Sequence, residues 1–281
     1  MKIELAKSYG FCFVVKRAIE IAENSSGAVT YGELIHNPLE INRLKTEHNV
    51  GLAKNLDEIT SDTVIIRTHG ITKDDKKILQ NNGKKLIDAT CPFVTKPQEI
   101  VEKMSKEGYD IVIFGDINHP EVKGIKSYST NPKRTFVVLS LEELSQIKLH
   151  EKITIVSQTT RKISEFLKLT SYLIENHKEI RVFNTICNAT FENQDAVKEL
   201  SQKADVMIII GGKNSSNTKQ LYLIAKQFCN DTYLIENEME LNKEWFKNKN
   251  LCGVSAGAST PEWLIQNIIK KIKQLKDDDN E

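Results

Sequence analysis

The sequence predicts an α/β protein with mainly parallel sheets, and three observations carry the prediction. Short β-branched apolar runs alternate with longer amphipathic segments from end to end. Runs such as 206–210 are continuously apolar rather than alternating, the pattern of strands covered on both faces. Polar clusters follow these runs, where parallel sheets collect their ligand-binding loops.

In chain order, strands are expected at 28–31, 63–67, 85–88, 110–114, 134–139, 152–156, 181–183, 205–210, 232–235 and 251–254. The clearest are 63–67, 110–114, 152–156 and 205–210, each an unbroken stretch dominated by Val and Ile. Helices are expected at 14–23, 95–106, 164–175, 195–202, 219–227 and 262–274. In the last, Trp263, Ile265, Ile268, Ile269 and Ile272 form an apolar stripe. Ser259 or Thr260 is its N-cap and Pro261 lies in its first turn. The charged tail 276–281 is expected to fray.

The 281 residues exceed what one core usually fills, so two or three domains are expected. Lys and Arg number 39 against 38 Asp and Glu, a net charge of +1, which excludes a broad electrostatic nucleic-acid binder. A small anion held by a few local groups is compatible with that balance. No apolar run is long enough to span a membrane, and residues 1–7 lack the apolar core of a secretory signal. Five cysteines, an odd number in a long chain, argue against a disulfide framework. A cytoplasmic protein with reduced thiols is the expectation.

Three of the cysteines are regularly spaced. Cys12 and Cys91 are 79 residues apart (91 − 12), Cys91 and Cys187 are 96 apart (187 − 91), and 94 residues follow (281 − 187). Each closes a strand-like run and opens a helix: Ser8–Cys12, Asp88–Cys91 before Pro92, and Phe183–Cys187. This predicts three pseudo-symmetric α/β units: 13–91, 92–184, and 185–281 joined by 1–12.

Candidate ligand loops follow the strands. They are Arg67-Thr68-His69-Gly70, Gly115 through His119-Pro120-Glu121, Ser157-Gln158-Thr159-Thr160, Gly211 through Asn217, and Gly253 through Pro261. His36 holds the matching place after strand 28–31. A lone Ser or Thr between strand and helix is more often an N-cap than a ligand, and a lone His is more often structural. Parallel topology gathers these loops at one end of the strands, which shifts the balance toward function. No Walker motif exists: Gly212-Lys213 would need Gly at 207 and Ser or Thr at 214, where the chain has Met207 and Asn214. No G-x-G-x-x-G follows the first strand either. An anion would therefore be held by imidazoles, hydroxyls, amides and helix N-termini.

Zinc-type C-x-x-C pairs are absent, and a Cys–His nucleophile would leave the threefold spacing unexplained. Cys229 and Cys252, inside apolar runs, are expected to be structural. For Cys12, Cys91 and Cys187, spacing alone leaves two readings: buried structural thiols, or ligands of an iron–sulfur cluster with one iron left open.

The motifs Gly10-Phe11-Cys12, Leu34-Ile35-His36-Asn37, Thr68-His69-Gly70, Asp88-Ala89-Thr90-Cys91-Pro92, His119-Pro120-Glu121-Val122, Gln158-Thr159-Thr160, Asn184-Thr185-Ile186-Cys187, Asn214-Ser215-Ser216-Asn217-Thr218 and Ala256-Gly257-Ala258-Ser259 occur in this order. With them the chain resembles, over essentially its whole length, the 4-hydroxy-3-methylbut-2-enyl diphosphate reductase family of the non-mevalonate isoprenoid pathway. The resemblance implies three α/β units around a central 4Fe–4S cluster ligated by Cys12, Cys91 and Cys187. It implies substrate binding by His36, His69, His119, Thr159, Ser215, Ser216, Asn217 and Ser259. Glu121 would relay protons, with Thr159 and His119 as its catalytic companions. The implied reaction is reductive dehydroxylation to isopentenyl and dimethylallyl diphosphate, two electrons arriving from an external donor such as ferredoxin or flavodoxin. The alternatives are a non-catalytic iron–sulfur redox sensor, a diphosphate-binding module, or a Cys–His hydrolase. Glu121 among the histidines favours the enzyme, because an anion binder has no evident use for a carboxylate there. The chain departs from the family pattern at Gln98, where His is usual, and at Asn193, where Arg is usual.

Overall fold

The first third of the chain runs β1 (Lys2–Leu5), α1 (Phe13–Glu23), β2 (Val29–Tyr31), α2 (Pro38–His48), β3 (Gly51–Ala53), β4 (Thr63–Ile66), α3 (Lys73–Asn81) and β5 (Lys85–Asp88). The middle runs α4 (Pro92–Lys106), β6 (Asp110–Phe114), α5 (Pro120–Ser127), β7 (Thr135–Val138), α6 (Leu141–Ser145), β8 (Lys152–Ser157), α7 (Ile163–Asn176) and β9 (Glu179–Val182). The last third runs α8 (Asn188–Ser201), β10 (Val206–Ile210), α9 (Ser216–Phe228), β11 (Thr232–Ile235), β12 (Leu251–Ala256) and α10 (Glu262–Asp277). This computed structural model describes residues 1–277, so most of the tail expected to fray lies outside the described residues.

The strands form three four-stranded sheets, ordered β1-β12-β10-β11, β3-β2-β4-β5 and β7-β6-β8-β9. Every pairing is parallel, as the continuous apolar runs predict. The four clearest predicted strands are β4, β6, β8 and β10, and all are central. A central parallel strand is covered on both faces, so both side-chain sets are apolar. β6 and β10 are buried at every residue.

The chain divides into two compact units, one of residues 1–16, 35–43 and 188 onward, the other of 17–34 and 44–187. The first holds the sheet containing β10. On one face Val206, Ile208 and Ile210 pack with Ile265, Ile268 and Ile272 of α10. On the other, Met207 and Ile209 pack with Val197, Leu200, Leu221 and Ala225 of α8 and α9. Each fully buried Ile or Leu contributes about 2 kcal/mol through removal of apolar surface from water. The second unit holds the other two sheets. Ile111, Ile113 and Val156 pack against Ile100, Val101 and Met104 of α4 and Val122 and Ile125 of α5. Val64 and Ile66 pack with Ile71 and Leu79.

The structure corrects several expectations. The runs before the cysteines are loops; their strands end earlier, at Leu5, Asp88 and Val182. β1 alternates polar and apolar residues because it is an edge strand, paired only to β12. The charged helices α2 and α3 lacked a clear stripe; α3 buries only Leu79. α4 begins at Pro92 with Cys91 as N-cap, and α8 begins at Asn188, directly after Cys187.

Candidate active site

In each sheet the candidate residues follow the same three strands. After the two central strands come His36 (β2) and His69 (β4), His119 with Glu121 (β6) and Thr159 (β8), and Ser215–Asn217 (β10) and Ser259 (β12). After one edge strand of each sheet, beside the second central one, comes a cysteine: Cys91 after β5, Cys187 after β9, Cys12 after β1. The loops lie at the carboxyl ends of parallel strands, the ligand-binding edge of such sheets.

Within the larger unit the geometry centres on Glu121. His119 is the N-cap of α5, and its Nδ1 accepts the Glu121 N–H at 3.3 Å. A neutral imidazole accepting at Nδ1 carries its proton on Nε2, leaving that edge as a donor. Pro120 at the next position suits the first helical turn. Glu121 is 1% exposed, and its carboxylate accepts from the Thr159 N–H and the Thr159 hydroxyl, both at 2.7 Å. Burial pushes the Glu121 carboxyl up to about 7, against the two Thr159 hydrogen bonds that pull it down. A buried carboxyl that keeps its proton near neutrality is a proton donor in waiting. The Thr159 carbonyl in turn accepts the Cys187 N–H at 2.9 Å, and the Thr68 carbonyl accepts the Cys91 N–H at 3.0 Å. One hydrogen-bonded chain thus runs Cys187–Thr159–Glu121–His119. The His69 and His119 rings meet edge to face, centroids 5.5 Å apart.

Within the smaller unit, Ser215 is the N-cap of α9, its hydroxyl accepting the Thr218 N–H at 3.3 Å. Ser216 opens that helix, and Asn217 is 5% exposed. Among the described residues neither Asn217 Nδ2 nor Oδ1 has a partner, so a donor and an acceptor stand ready at a helix N-terminus. A Cβ at Gly212 would lie 2.5 Å from the His36 carbonyl oxygen, so only glycine lets this loop approach His36. Ser259 donates to the same carbonyl at 3.2 Å. The structure therefore brings His36, the 212–217 loop and Ser259 together. The His36 segment is anchored through α2, where buried Glu40 accepts from Arg43 at 2.7 Å and from the Trp263 indole at 2.9 Å.

All five cysteines are thiols. Cys12, Cys91 and Cys187 are half-buried in loops directly before helices α1, α4 and α8. Cys229 and Cys252 are buried in apolar cores, and burial pushes Cys252 up to about 12, an inert structural thiol. As a donor set, three half-buried thiols at helix starts fit an iron–sulfur cluster with one iron left for another ligand.

Two positioning roles escaped the sequence. Fully buried Gln158 accepts from the Asp116 N–H at 3.1 Å and donates to the Thr160 hydroxyl at 3.3 Å, clamping the loop that leads to His119. Thr218 fills the space that the absent side chains of Gly211 (φ 146°) and Gly257 leave. The Gln-Thr-Thr motif was visible; the clamp, across 42 residues, was not. Of the two departures, Asn193 accepts from the Ser8 hydroxyl at 2.5 Å, tying the loop that leads to Cys12 onto α8. Gln98 is buried in α4.

Fold and site together define a class: an α/β protein of three parallel sheets, with imidazole, hydroxyl and amide groups, three thiols and a buried acid at its strand ends. The particular family follows from comparison with known proteins. Residues 3–273 match the family described as LytB protein, and the chain belongs to it. It is 65% identical over 281 residues to the 4-hydroxy-3-methylbut-2-enyl diphosphate reductase of Campylobacter fetus, covering 100% of both chains. It is 65% identical over 277 residues to that of Nautilia profundicola, covering 98% of this chain and 100% of the relative. The solved structure of the E-1-hydroxy-2-methyl-but-2-enyl-4-diphosphate reductase from Plasmodium falciparum matches with a TM-score of 0.89 at 27% identity, covering 95% of this chain and 86% of that one. A second solved structure, of (E)-4-hydroxy-3-methyl-but-2-enyl diphosphate reductase, the terminal enzyme of the non-mevalonate pathway, matches at 43% identity with a TM-score of 0.71, covering 97% and 99%.

Proposed function

We propose that this protein is a reductase that removes the allylic hydroxyl of 4-hydroxy-3-methylbut-2-enyl diphosphate to give isopentenyl and dimethylallyl diphosphate. The observation that carries the reading is the buried Glu121–Thr159 pair, hydrogen-bonded through the Thr159 carbonyl to the amide of Cys187. The names of the full-length relatives support it.

Cys12, Cys91 and Cys187 would hold a 4Fe–4S cluster. When bound, the cluster supplies the two electrons, received from a ferredoxin- or flavodoxin-type donor, and an open iron as Lewis acid toward the hydroxyl oxygen. His36, His69, His119, Ser215, Ser216, Asn217 and Ser259 bind the diphosphate. The imidazoles donate ring N–H groups to its oxygens, and hydroxyl and amide donors complete its hydrogen bonds. Thr159, hydrogen-bonded to Glu121, would lie between it and the substrate hydroxyl. With its proton on Oε2, Glu121 donates to Thr159 Oγ1, and the threonine hydrogen turns to the departing hydroxyl. The two electrons and two protons balance: one proton leaves with the hydroxyl as water, the other adds to the allylic carbon skeleton. Glu121 keeps the donor form below pH about 7 and loses it above. The three α/β units, 13–91, 92–184 and 185–281 with 1–12, each supply two substrate loops. No helix of the described residues is long and apolar enough to cross a membrane, and a cytoplasmic site of action fits the reduced thiols.

Iron and acid-labile sulfide, measured on anaerobically purified protein, test the reading. The expectation is about four of each per chain; protein that takes up neither under reconstitution overturns it.

A further inference from the structure

Three segments of the larger unit meet beside the His69 backbone. Gly70, next to His69, has left-handed backbone (φ 70°). Gly124 lies one turn after Glu121 in α5, and Gln98 projects from α4. A Cβ at Gly70 would stand 2.9 Å from Gln98 Nε2. A Cβ at Gly124 would stand 3.3 Å from the same atom, and 3.6 and 3.8 Å from the Ile71 and His69 carbonyl oxygens. The two glycines thus let α5 lie against the 69–71 backbone, with the Gln98 amide in the slot between.

Gln98 is 4% exposed, and among the described residues its Nε2 has no acceptor. It also borders a cavity of about 240 Å³, together with Thr90, Thr95 and Tyr128. A buried amide nitrogen without an acceptor works against folding. Among the described residues no hydrogen bond accounts for this amide nitrogen, and what the side chain supplies in the slot is length and volume.

We propose that Gln98 is a positioning residue for diphosphate binding, a spacer that sets the separation between the His69 loop and the His119–Glu121 turn. It acts through those residues and touches no substrate. The inference rests on the proposed role of His69 and His119 in binding the diphosphate. Shortening the spacer lets the loop and the helix turn shift toward one another, and shifts of an ångström weaken convergent sites strongly.

Inorganic pyrophosphate binding to the iron-loaded protein, followed by calorimetry with iron content and melting temperature recorded, provides the test. Q98A and Q98N shorten the side chain, Q98N while keeping the amide. Q98M keeps the length without the amide. The proposal expects Q98A and Q98N to bind about tenfold more weakly than wild type with unchanged iron, and Q98M to bind as wild type does. Wild-type affinity in Q98A and Q98N overturns it, whatever happens to the melting temperature. Weak binding by Q98M alongside wild-type binding by Q98N also overturns it, because the amide would then matter and the length would not. Both results leave the diphosphate reading intact. Failure of the wild-type holoprotein to bind pyrophosphate would instead defeat that reading, and this proposal with it.

Discussion

Replacing Glu121 by Gln separates the role of the proton from the role of the shape. Gln is isosteric with the protonated acid. It can accept the Thr159 N–H at Oε1 and donate to the Thr159 hydroxyl from Nε2, keeping both 2.7 Å contacts. The fold should survive, and so should the thiol loops. What disappears is a titration. The carboxyl is raised from its ordinary 4.5 to about 7 by burial, and about 1.36 kcal/mol per pH unit makes this about 3 kcal/mol of disfavoured ionisation. The folded protein holds this proton more tightly than the unfolded chain does. Stability from this group is therefore full below pH 4.5, falls as pH rises toward about 7, and is level above. Between about pH 5 and about pH 8 the wild type should lose about 2.5 kcal/mol that E121Q keeps. Denaturant unfolding of both proteins at the two pH values measures the difference. A gap between them that does not change with pH would refute a buried, proton-holding Glu121. Turnover by E121Q should fall by about 10²–10⁴-fold, the usual worth of a general acid, at unchanged iron content.

Other outcomes follow from the same geometry. Cys12→Ser, Cys91→Ser and Cys187→Ser should each lower iron per chain, whereas Cys229→Ser and Cys252→Ala should leave it unchanged; elemental analysis decides. In wild type, the rate of product formation should decline as pH rises through about 7, as Glu121 loses its proton; a profile flat from about pH 6 to about pH 9 would exclude Glu121 as the limiting donor. Asp110 in β6 is almost fully buried, accepts from Arg134 Nε at 2.7 Å and from the His150 N–H at 2.7 Å, so Asp110→Ala should cost about 3 kcal/mol in unfolding experiments. Ser8→Ala and Asn193→Ala should couple by about 1 kcal/mol in a double-mutant cycle, since each removes the same half-buried hydrogen bond.

Much of this architecture was legible in the chain. Strands covered on both faces announce themselves as unbroken Val and Ile, which is why β4, β6, β8 and β10 were plain. Edge strands such as β1 and the three-residue β3 bury too little to leave a pattern. α5 was hidden because its start, His119-Pro120-Glu121, looks like a loop; the His119 cap that makes it a helix is a tertiary detail. The candidate site residues were visible by type and by their place after strands. What one dimension concealed was which of them touch. Glu121 and Thr159 are 38 residues apart, and only folding makes that carboxylate a buried acid. Gln98 looked like a simple departure from a pattern, and only the two glycines facing it show that it fills a slot.

The most direct test is product formation. Anaerobic, iron-reconstituted protein is mixed with reduced viologen and 4-hydroxy-3-methylbut-2-enyl diphosphate, and the products are identified by mass spectrometry. The account predicts isopentenyl and dimethylallyl diphosphate, with two viologen electrons consumed per molecule. A protein carrying its full cluster that leaves the substrate untouched would contradict it.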